Sequence, residues 1–409
     1  MKTLGIIAEY NPFHKGHQYH IEQAKQKTQA DYVIVIMSGS FVQRGAPAIA
    51  DKYSRAKSAL LCGADLVLEL PALYAASSAE LFAAGAVRTL EQLGITYLSF
   101  GCETDDLQTI EQTAQILAQE PEEYKEYLRQ QLAKGLPFPK AREYALKFLY
   151  PNSAASLDFH QPNTILALEY CKALYQCQSR MIPVPVKRLG GAYHQLEQDI
   201  TFSSASSIRR QLADHGSLEI IKDQLPKPSW LALKKAIQMD FPIFDEDSSA
   251  FIRFALLQVP GQDYTPYLDI SQELSNRIAK HLFDYQSFHS FVSLLKTKER
   301  TYTQICRALI HILLGMMDAD LEAAKAINYV PYFHVLGVKS ESTGLLGHIC
   351  RNSKIPLITN PVNAFQQLSA PAKRLLELDC YSTHIWNSIA GEKFAHATEC
   401  EYTRKFLKV

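Results

Sequence analysis

The chain has 409 residues, with 42 Lys+Arg against 42 Asp+Glu, 47% hydrophobic and 21% charged residues. That length suits two or three domains, and the balance excludes global disorder, a collagen-like chain and a polybasic nucleic-acid binder. Any nucleic-acid surface must be a local patch. No apolar run reaches the roughly 18 residues of a membrane span. The apolar start Leu4–Ala8 is cut off at Glu9, unlike a signal peptide. The cysteines (Cys62, Cys102, Cys171, Cys177, Cys306, Cys350, Cys380, Cys400) form no CxxC pair. The expectation is a cytoplasmic protein with no membrane contact, no zinc ribbon and mostly buried thiols.

In chain order, Thr3–Ala8 (TLGIIA) is a short apolar run of the kind a buried parallel strand needs. His17–Lys27 reads as a helix, Tyr32–Met37 as a strand, Lys52–Leu61 as a helix and Leu66–Leu70 as a strand. Ala79–Leu93 is helical and Ile95–Phe100 extended. This alternation predicts an α/β, Rossmann-like domain with a parallel sheet, over residues 1–225. The polar stretch at about 105–160 reads as a helical insertion. Asn163–Tyr175 is a helix, Met181–Lys187 a proline-containing last strand, and Ser206–Asp214 a helix. Leu225–Ser229 (LPKPS) reads as a linker. Residues 230–409 are then a mainly helical C-terminal region, with extended stretches at Tyr332–Val338 and Ile355–Ile358. Nothing in the sequence sets an oligomeric state.

The most informative stretch is Gly5–Ile21, in which a strand runs through Asn11-Pro12 into His14-Lys15-Gly16-His17 (HxGH) and a helix. A helix N-terminus offers backbone N–H groups to an anion, and glycine lets backbone and phosphate approach. His14 and His17 lie one helical turn apart, so both can face one ligand and stabilise charge at an α-phosphate and a leaving pyrophosphate. The second motif is SSASSIRR at 203–210. Here Ser204, Ser206 and Arg209 suit a phosphate clamp at another helix start. There is no GxGxxG and no GxxxxGK[ST], which disfavours dinucleotide redox and P-loop chemistry. The layout resembles the HIGH-type nucleotidyltransferases, which activate with ATP.

With these residues the sequence resembles, along nearly its whole length, the bacterial tRNA(Met) cytidine acetate ligase family. The matching stretches include GIIAEYNPFHKGHQYH at 5–20, MSGSFVQRGAPAIADKYSRAKSALLCGADLVLELP at 37–71 and FGCET at 100–104. Others are QPNTILALEY at 161–170, PVKRLGGAYH at 185–194, SSASSIR at 203–209 and YTQICRALIHILLG at 302–315. The resemblance implies acetate activation by ATP and acetylation of the wobble cytidine of elongator tRNA(Met), giving N4-acetylcytidine. It places ATP on Ile7, Ala8, Glu9, Tyr10, Asn11, Pro12, Phe13, His14, Lys15, Gly16, His17 and His20, with Gly101, Asn163 and Arg188. His14, His17 and Lys15 would be catalytic. Mg²⁺ is expected with ATP, although no protein ligand set is visible.

The loop Ser38–Gly45 is expected to build the acetate pocket. Asp51, Lys52 and Arg55 read either as substrate contacts or as a capped, solvated helix start. Residues 180–235 carry nine Lys/Arg against five acids, and 296–310 carry Lys296, Lys298, Arg300 and Arg307 against Glu299, with Tyr302 available to stack on a base. Two other readings are open to the same motifs. One is a nucleotidyltransferase adenylylating a small phosphorylated cofactor precursor. The other is a non-catalytic RNA-binding factor of the same fold.

Overall fold

The computed structural model describes residues 1–154, 157–189, 202–237 and 239–409. Its strands are β1 (Thr3–Ala8), β2 (Tyr32–Ser38), β3 (Phe41–Val42), β4 (Ala46–Pro47), β5 (Leu66–Leu70), β6 (Tyr97–Cys102), β7 (Ile182–Lys187), β8 (Phe333–Val338), β9 (Leu357–Ile358) and β10 (Leu407–Lys408). One eight-stranded sheet has the order β10-β8-β5-β2-β1-β6-β7, with β9 beside β8. From β2 to β7 all neighbours of β1, β2 and β6 within the α/β core are parallel. β8 runs antiparallel to β5. The chain leaves β1 on one side through β2 and β5 and returns on the other through β6 and β7. The carboxyl ends of β1 and β6 therefore flank a topological switch point, where ligands bind in open α/β sheets.

Side-chain alternation builds two cores. Leu4, Ile6, Val33, Val35, Met37 and Val67 pack with Ile21 and Ala24 of the helix Lys15–Thr28. Ile7, Ile34, Ile36, Leu66, Leu68 and Leu70 pack in the other core with the helix Ala79–Gln92. Both faces are covered, which is why the strands read as continuous apolar runs. The insertion between β6 and β7 is helical over Leu107–Gln119, Glu122–Ala133 and Phe138–Leu149. The helix Pro162–Gln176 returns the chain to β7.

Two expectations change. Leu225–Ser229 is not a free linker: Leu225 and Ser229 are buried. The helix Lys227–Ala236 starts inside this stretch, and Ser229 Oγ donates to the Phe13 carbonyl at 2.9 Å. The sheet is also shared across the expected division at 225–230, because β8, β9 and β10 all come from beyond it. All eight cysteines are free, and only Cys350 and Cys400 are exposed. Among the described residues no helix is long and apolar enough to cross a membrane.

The start of the helix Lys52–Leu61 is not solvated. Asp51 caps it, accepting from the N–H groups of Tyr53 and Ser54 at 2.9 Å, and pairs with Arg404 at 3.1 Å. Lys52 is 1% exposed, and its ammonium lies 2.7 Å from carboxylate oxygens of both Glu69 and Glu401. Arg55, also 1% exposed, donates to the carbonyls of Ala50 (3.0 Å), Glu9 (2.7 Å), Ser38 (3.0 Å) and Gly39. It thereby ties the ends of β1 and β2 together, a positioning role. Removing one member of a buried ion group leaves uncompensated charge. Lys52→Met should cost about 3–5 kcal/mol of unfolding free energy. In urea titrations, Lys52→Met combined with Glu401→Gln should cost less than the sum of the two single changes. Additive costs would show that the group is not coupled.

Candidate active site

His14 is the N-cap of the helix Lys15–Thr28, and its Nδ1 accepts from the Gly16 N–H at 3.1 Å. His17 reaches back, its Nδ1 accepting from the His14 N–H at 3.2 Å. The two rings stack with centroids 3.7 Å apart. Because each Nδ1 faces a backbone donor, each neutral ring carries its proton on Nε2. Burial, reinforced by Arg188 and Arg209, pulls His14 down to about 3. Burial, then His14, Arg188 and His20, hold His17 well below its usual value. Both are therefore neutral Nε2–H donors at pH 7, and neither can take a proton at Nδ1 without losing its cap bond. The helix end was expected to meet an anion with its own N–H groups. In the structure the Gly16 N–H is taken by His14 Nδ1 and the His17 N–H by the His14 carbonyl at 2.9 Å.

Gly16 is required by its own neighbour: a Cβ there would stand 2.9 Å from His14 Cε1 and 3.0 Å from Nδ1, so the glycine makes room for the His14 ring. Tyr10 and Phe13 are core residues that wall His17, with ring centroids 4.9 Å and 5.6 Å from it. Asn11 is buried, and its Oδ1 accepts from the Ile49 N–H at 2.7 Å, pinning the loop to the segment after β4. Pro12 is buried and Ile7 nearly so, whereas Ala8 and Glu9 are half-buried. Glu9 accepts from the Gln43 N–H at 3.0 Å, joining β1 to the Ser38–Gly45 loop. His20 Nε2 lies 2.9 Å from Ser99 Oγ, which itself donates to the Val184 carbonyl at 2.9 Å. His20 therefore donates into the sheet, and burial, then Arg188, lower it to about 4. Lys15 is exposed.

The second motif arrives from the far side of the chain. Ser204 caps the helix Ala205–His215, accepting from the Ser207 N–H at 3.2 Å. Arg209 donates to the Asn11 carbonyl at 2.7 Å and to Ser206 Oγ at 3.3 Å. HxGH and SxSxxR thus meet through one guanidinium. At the end of β6, Glu103 gathers the remaining predicted residues. It accepts from Asn163 Nδ2 at 2.6 Å and from Thr164 Oγ1 at 2.9 Å, and lies 4.0 Å from Arg188 Nε. Glu103 was missed, although it sits in the FGCET stretch, because nothing local announces a carboxylate that organises two distant segments. A Cβ on Gly101 would meet Arg188 Cγ at an ordinary 3.5 Å. The chain itself leaves room there, so any demand for glycine would come from a ligand. Gly190, Gly191, Glu197 and Asp199 lie outside the described residues.

The basic runs separate in the fold. Arg188 and Arg209 belong to the crevice. Arg307 is 9% exposed and so is no part of an outer RNA patch. Tyr302 is half-buried and its hydroxyl bonds His289 Nδ1, so it is not a free stacking platform. Lys222 and Lys234 lie over the Trp230 ring, 5.0 and 4.6 Å from its centroid.

A switch-point crevice with two neutral, stacked imidazoles and two converging guanidiniums defines a nucleotidyltransferase, and the model of the HIGH Nucleotidyl Transferase family matches residues 1–400. The chain belongs to that family and, within it, to the tRNA(Met) cytidine acetate ligases. It is 39% identical over 391 residues to the tRNA(Met) cytidine acetate ligase of Clostridium kluyveri, covering 94% of each chain. It is 38% identical over 395 residues to that of Acetivibrio thermocellus, again 94% of each. The crystal structure of Thermotoga maritima TmcAL bound with alpha-thio ATP superposes with a TM-score of 0.90 at 30% identity, over 100% of both chains.

Two expectations follow from the geometry. Gly16→Ala should displace the His14 ring, and a misplacement of this kind costs about 10²-fold in turnover. Its melting temperature should stay near wild type, and turnover within twofold would refute the close approach. The lowered imidazoles also set an acid limit. Unfolded histidines bind protons below about 6.5, whereas His14 and His20 do so only near 3 and 4. The unfolded state then holds more protons, so stability falls as pH drops from about 6.5 and is flat on this account above it. Urea midpoints at pH 7 and pH 5 should differ less in His14→Gln than in wild type.

Proposed function

We propose that this protein activates acetate with ATP and transfers the acetyl group to the wobble cytidine of elongator tRNA(Met), forming N4-acetylcytidine in the cytoplasm. The observation that carries the reading is the paired, neutral Nε2–H donors of His14 and His17, set between Arg188 and Arg209 at the end of β1. ATP would lie from Ile7 to His20 with Gly101, Asn163, Arg188, Ser204, Ser206 and Arg209 around it, and Lys15 at the open edge. An acetate oxygen attacks the α-phosphorus, the bond to the bridging oxygen breaks, and pyrophosphate leaves. His14 and His17 donate to the oxygens on which charge grows, a contribution of about 3–4 kcal/mol for one such donor. The cytidine amine then attacks the acyl carbon of acetyl-adenylate, AMP departs and the amine proton is lost to solvent.

Mg²⁺ would enter with the triphosphate and neutralise its charge. The described residues closest to metal-ligand spacing are Glu69, His334 and Glu401, and there the Lys52 ammonium already stands between the carboxylates. We place no protein metal site there. Residues 230–409 are proposed to help hold the tRNA, and the Lys222–Trp230–Lys234 surface, which straddles the start of that region, is one candidate phosphate contact.

The test is incubation with ATP, Mg²⁺, acetate and bulk bacterial tRNA, followed by digestion and mass analysis of the nucleosides. The expected product is a cytidine heavier by one acetyl group, dependent on ATP and acetate and absent with acetyl-CoA alone. His14→Ala and His17→Ala should each lower its rate by about 10²–10³-fold. Pyrophosphate release with a different acid or phosphate ester, and no acetylated cytidine, would move the substrate elsewhere. Unchanged modification in both variants would remove the imidazoles from the chemistry.

A further inference from the structure

We infer that Arg307 is the residue that binds the carboxylate of the small acid, an assignment that rests on the function proposed above. Arg307 lies on the helix Tyr302–Leu314, within the continuously buried run Ile305–Leu314. It is 9% exposed and its Nε has no hydrogen-bond partner. Among the described residues no carboxylate comes within ion-pair distance of it. Asp269 is near enough to favour its charge, but burial outweighs that effect and lowers the guanidinium below its ordinary value. A buried, unpaired charge is costly to hold, and a guanidinium in this condition is completed by an anion.

The other buried cations around the Ser38–Gly45 loop are already used. Arg55 serves four carbonyls, Lys52 two carboxylates, and the half-buried Arg404 serves Asp51. Arg307 is also built against this loop. Gly45 has a φ of +74°, and a Cβ on it would stand 2.4 Å from the Arg307 backbone nitrogen and 2.8 Å from its Cα, so the loop packs on the helix backbone at Arg307. The same loop is bound at Gln43 to Glu9, at the end of β1.

Size selects the anion. A side chain this buried admits a small ligand, whereas the phosphodiester of a folded RNA needs an exposed cation. The planar fork of a guanidinium matches a carboxylate. One acetate oxygen held there leaves the other to attack the α-phosphorus. The mixed anhydride that forms carries no carboxylate charge; its phosphate keeps one negative charge and the rest leaves with pyrophosphate.

The experiment is steady-state acetylation of tRNA by the full chain, with acetate, ATP and tRNA varied separately, for wild type, Arg307→Gln, Arg307→Lys and Arg307→Ala. In Arg307→Gln the KM for acetate should rise at least 30-fold while the KM values for ATP and tRNA stay within threefold. Arg307→Lys should fall between, and added methylguanidinium should partly restore Arg307→Ala at low acetate. An unchanged acetate KM with a raised KM for ATP or tRNA overturns the assignment and gives Arg307 to the nucleotide or the RNA. Should Arg307→Gln fail to fold, Arg307→Lys decides: a raised acetate KM supports the assignment, and an unchanged one overturns it. Wild-type protein that makes no acetylcytidine sinks the functional reading itself, whereas active wild type with an unaltered acetate KM in the variants sinks only the role of Arg307.

Discussion

The ammonium of Lys52 holds the two ends of this chain in one place. It is buried at the start of a helix that follows β4, and binds Glu69 from β5, Glu401 from the C-terminal tail and the Thr383 hydroxyl at 3.1 Å. Burial opposes the charge, but Glu401 and Glu69 outweigh it and raise Lys52 well above its ordinary value. Burial would likewise raise Glu69, yet Lys52 and His334 hold it at about 2. Asp379, pushed up to about 7 by burial and then by Glu69, accepts from Tyr332 and from the Ala72 N–H, both at 2.6 Å. Buried ion groups contribute little net stability, because desolvation offsets most of the attraction. What this one gives is position.

That position reaches the active site through the Ser38–Gly45 loop. Glu69 Oε1 would stand 2.1 Å from a Cβ on Gly39, so the loop starts against the ion group itself. Ser40 bonds Thr383 at 3.2 Å, and Trp386 donates to the Ala48 carbonyl at 2.7 Å, both from the helix Ala370–Phe394. Arg55 closes the other side by gathering the carbonyls at the ends of β1 and β2. The imidazole pair sits at the end of β1 and inherits this rigidity. Preorganised donors need it, since their value in a transition state comes from not having to reorient.

Much of this was legible in the sequence where physics is local. TLGIIA, Lys52–Leu61 and LVLEL appear within their expected limits, because strands covered on both faces are contiguous apolar runs and the Asp51 cap is a short-range signal. HxGH stood out because two imidazoles one helical turn apart need no tertiary knowledge. What was lost depends on distant pairing. Lys52 and Arg55 read either as substrate contacts or as a solvated helix start, since their partners are a strand carboxylate, a tail residue 349 positions away and backbone carbonyls. Glu103 is silent until Asn163 and Arg188 are folded onto it. β10 has two residues, and no periodicity can mark so short a strand. Its place beside β8 is set by the same tail that carries Glu401.

Under the proposed function a chain of zero net charge holds a triphosphate, a small acid and an RNA, and the described residues suit this by degrees of neutralisation. Fully matched cations, Lys52 and Arg55, build the frame and attract nothing further. Partly matched ones, Arg188 beside Glu103 and Arg209 on a carbonyl and a hydroxyl, keep enough charge to draw phosphate and enough bonds to stay aimed. The imidazoles carry no charge at all. They are kept neutral by those same guanidiniums as well as by burial, so that the site meets developing negative charge with directed N–H groups. Net charge therefore says little about anion binding here. The burial and pairing of each cation decide whether it supports the fold or serves the ligand.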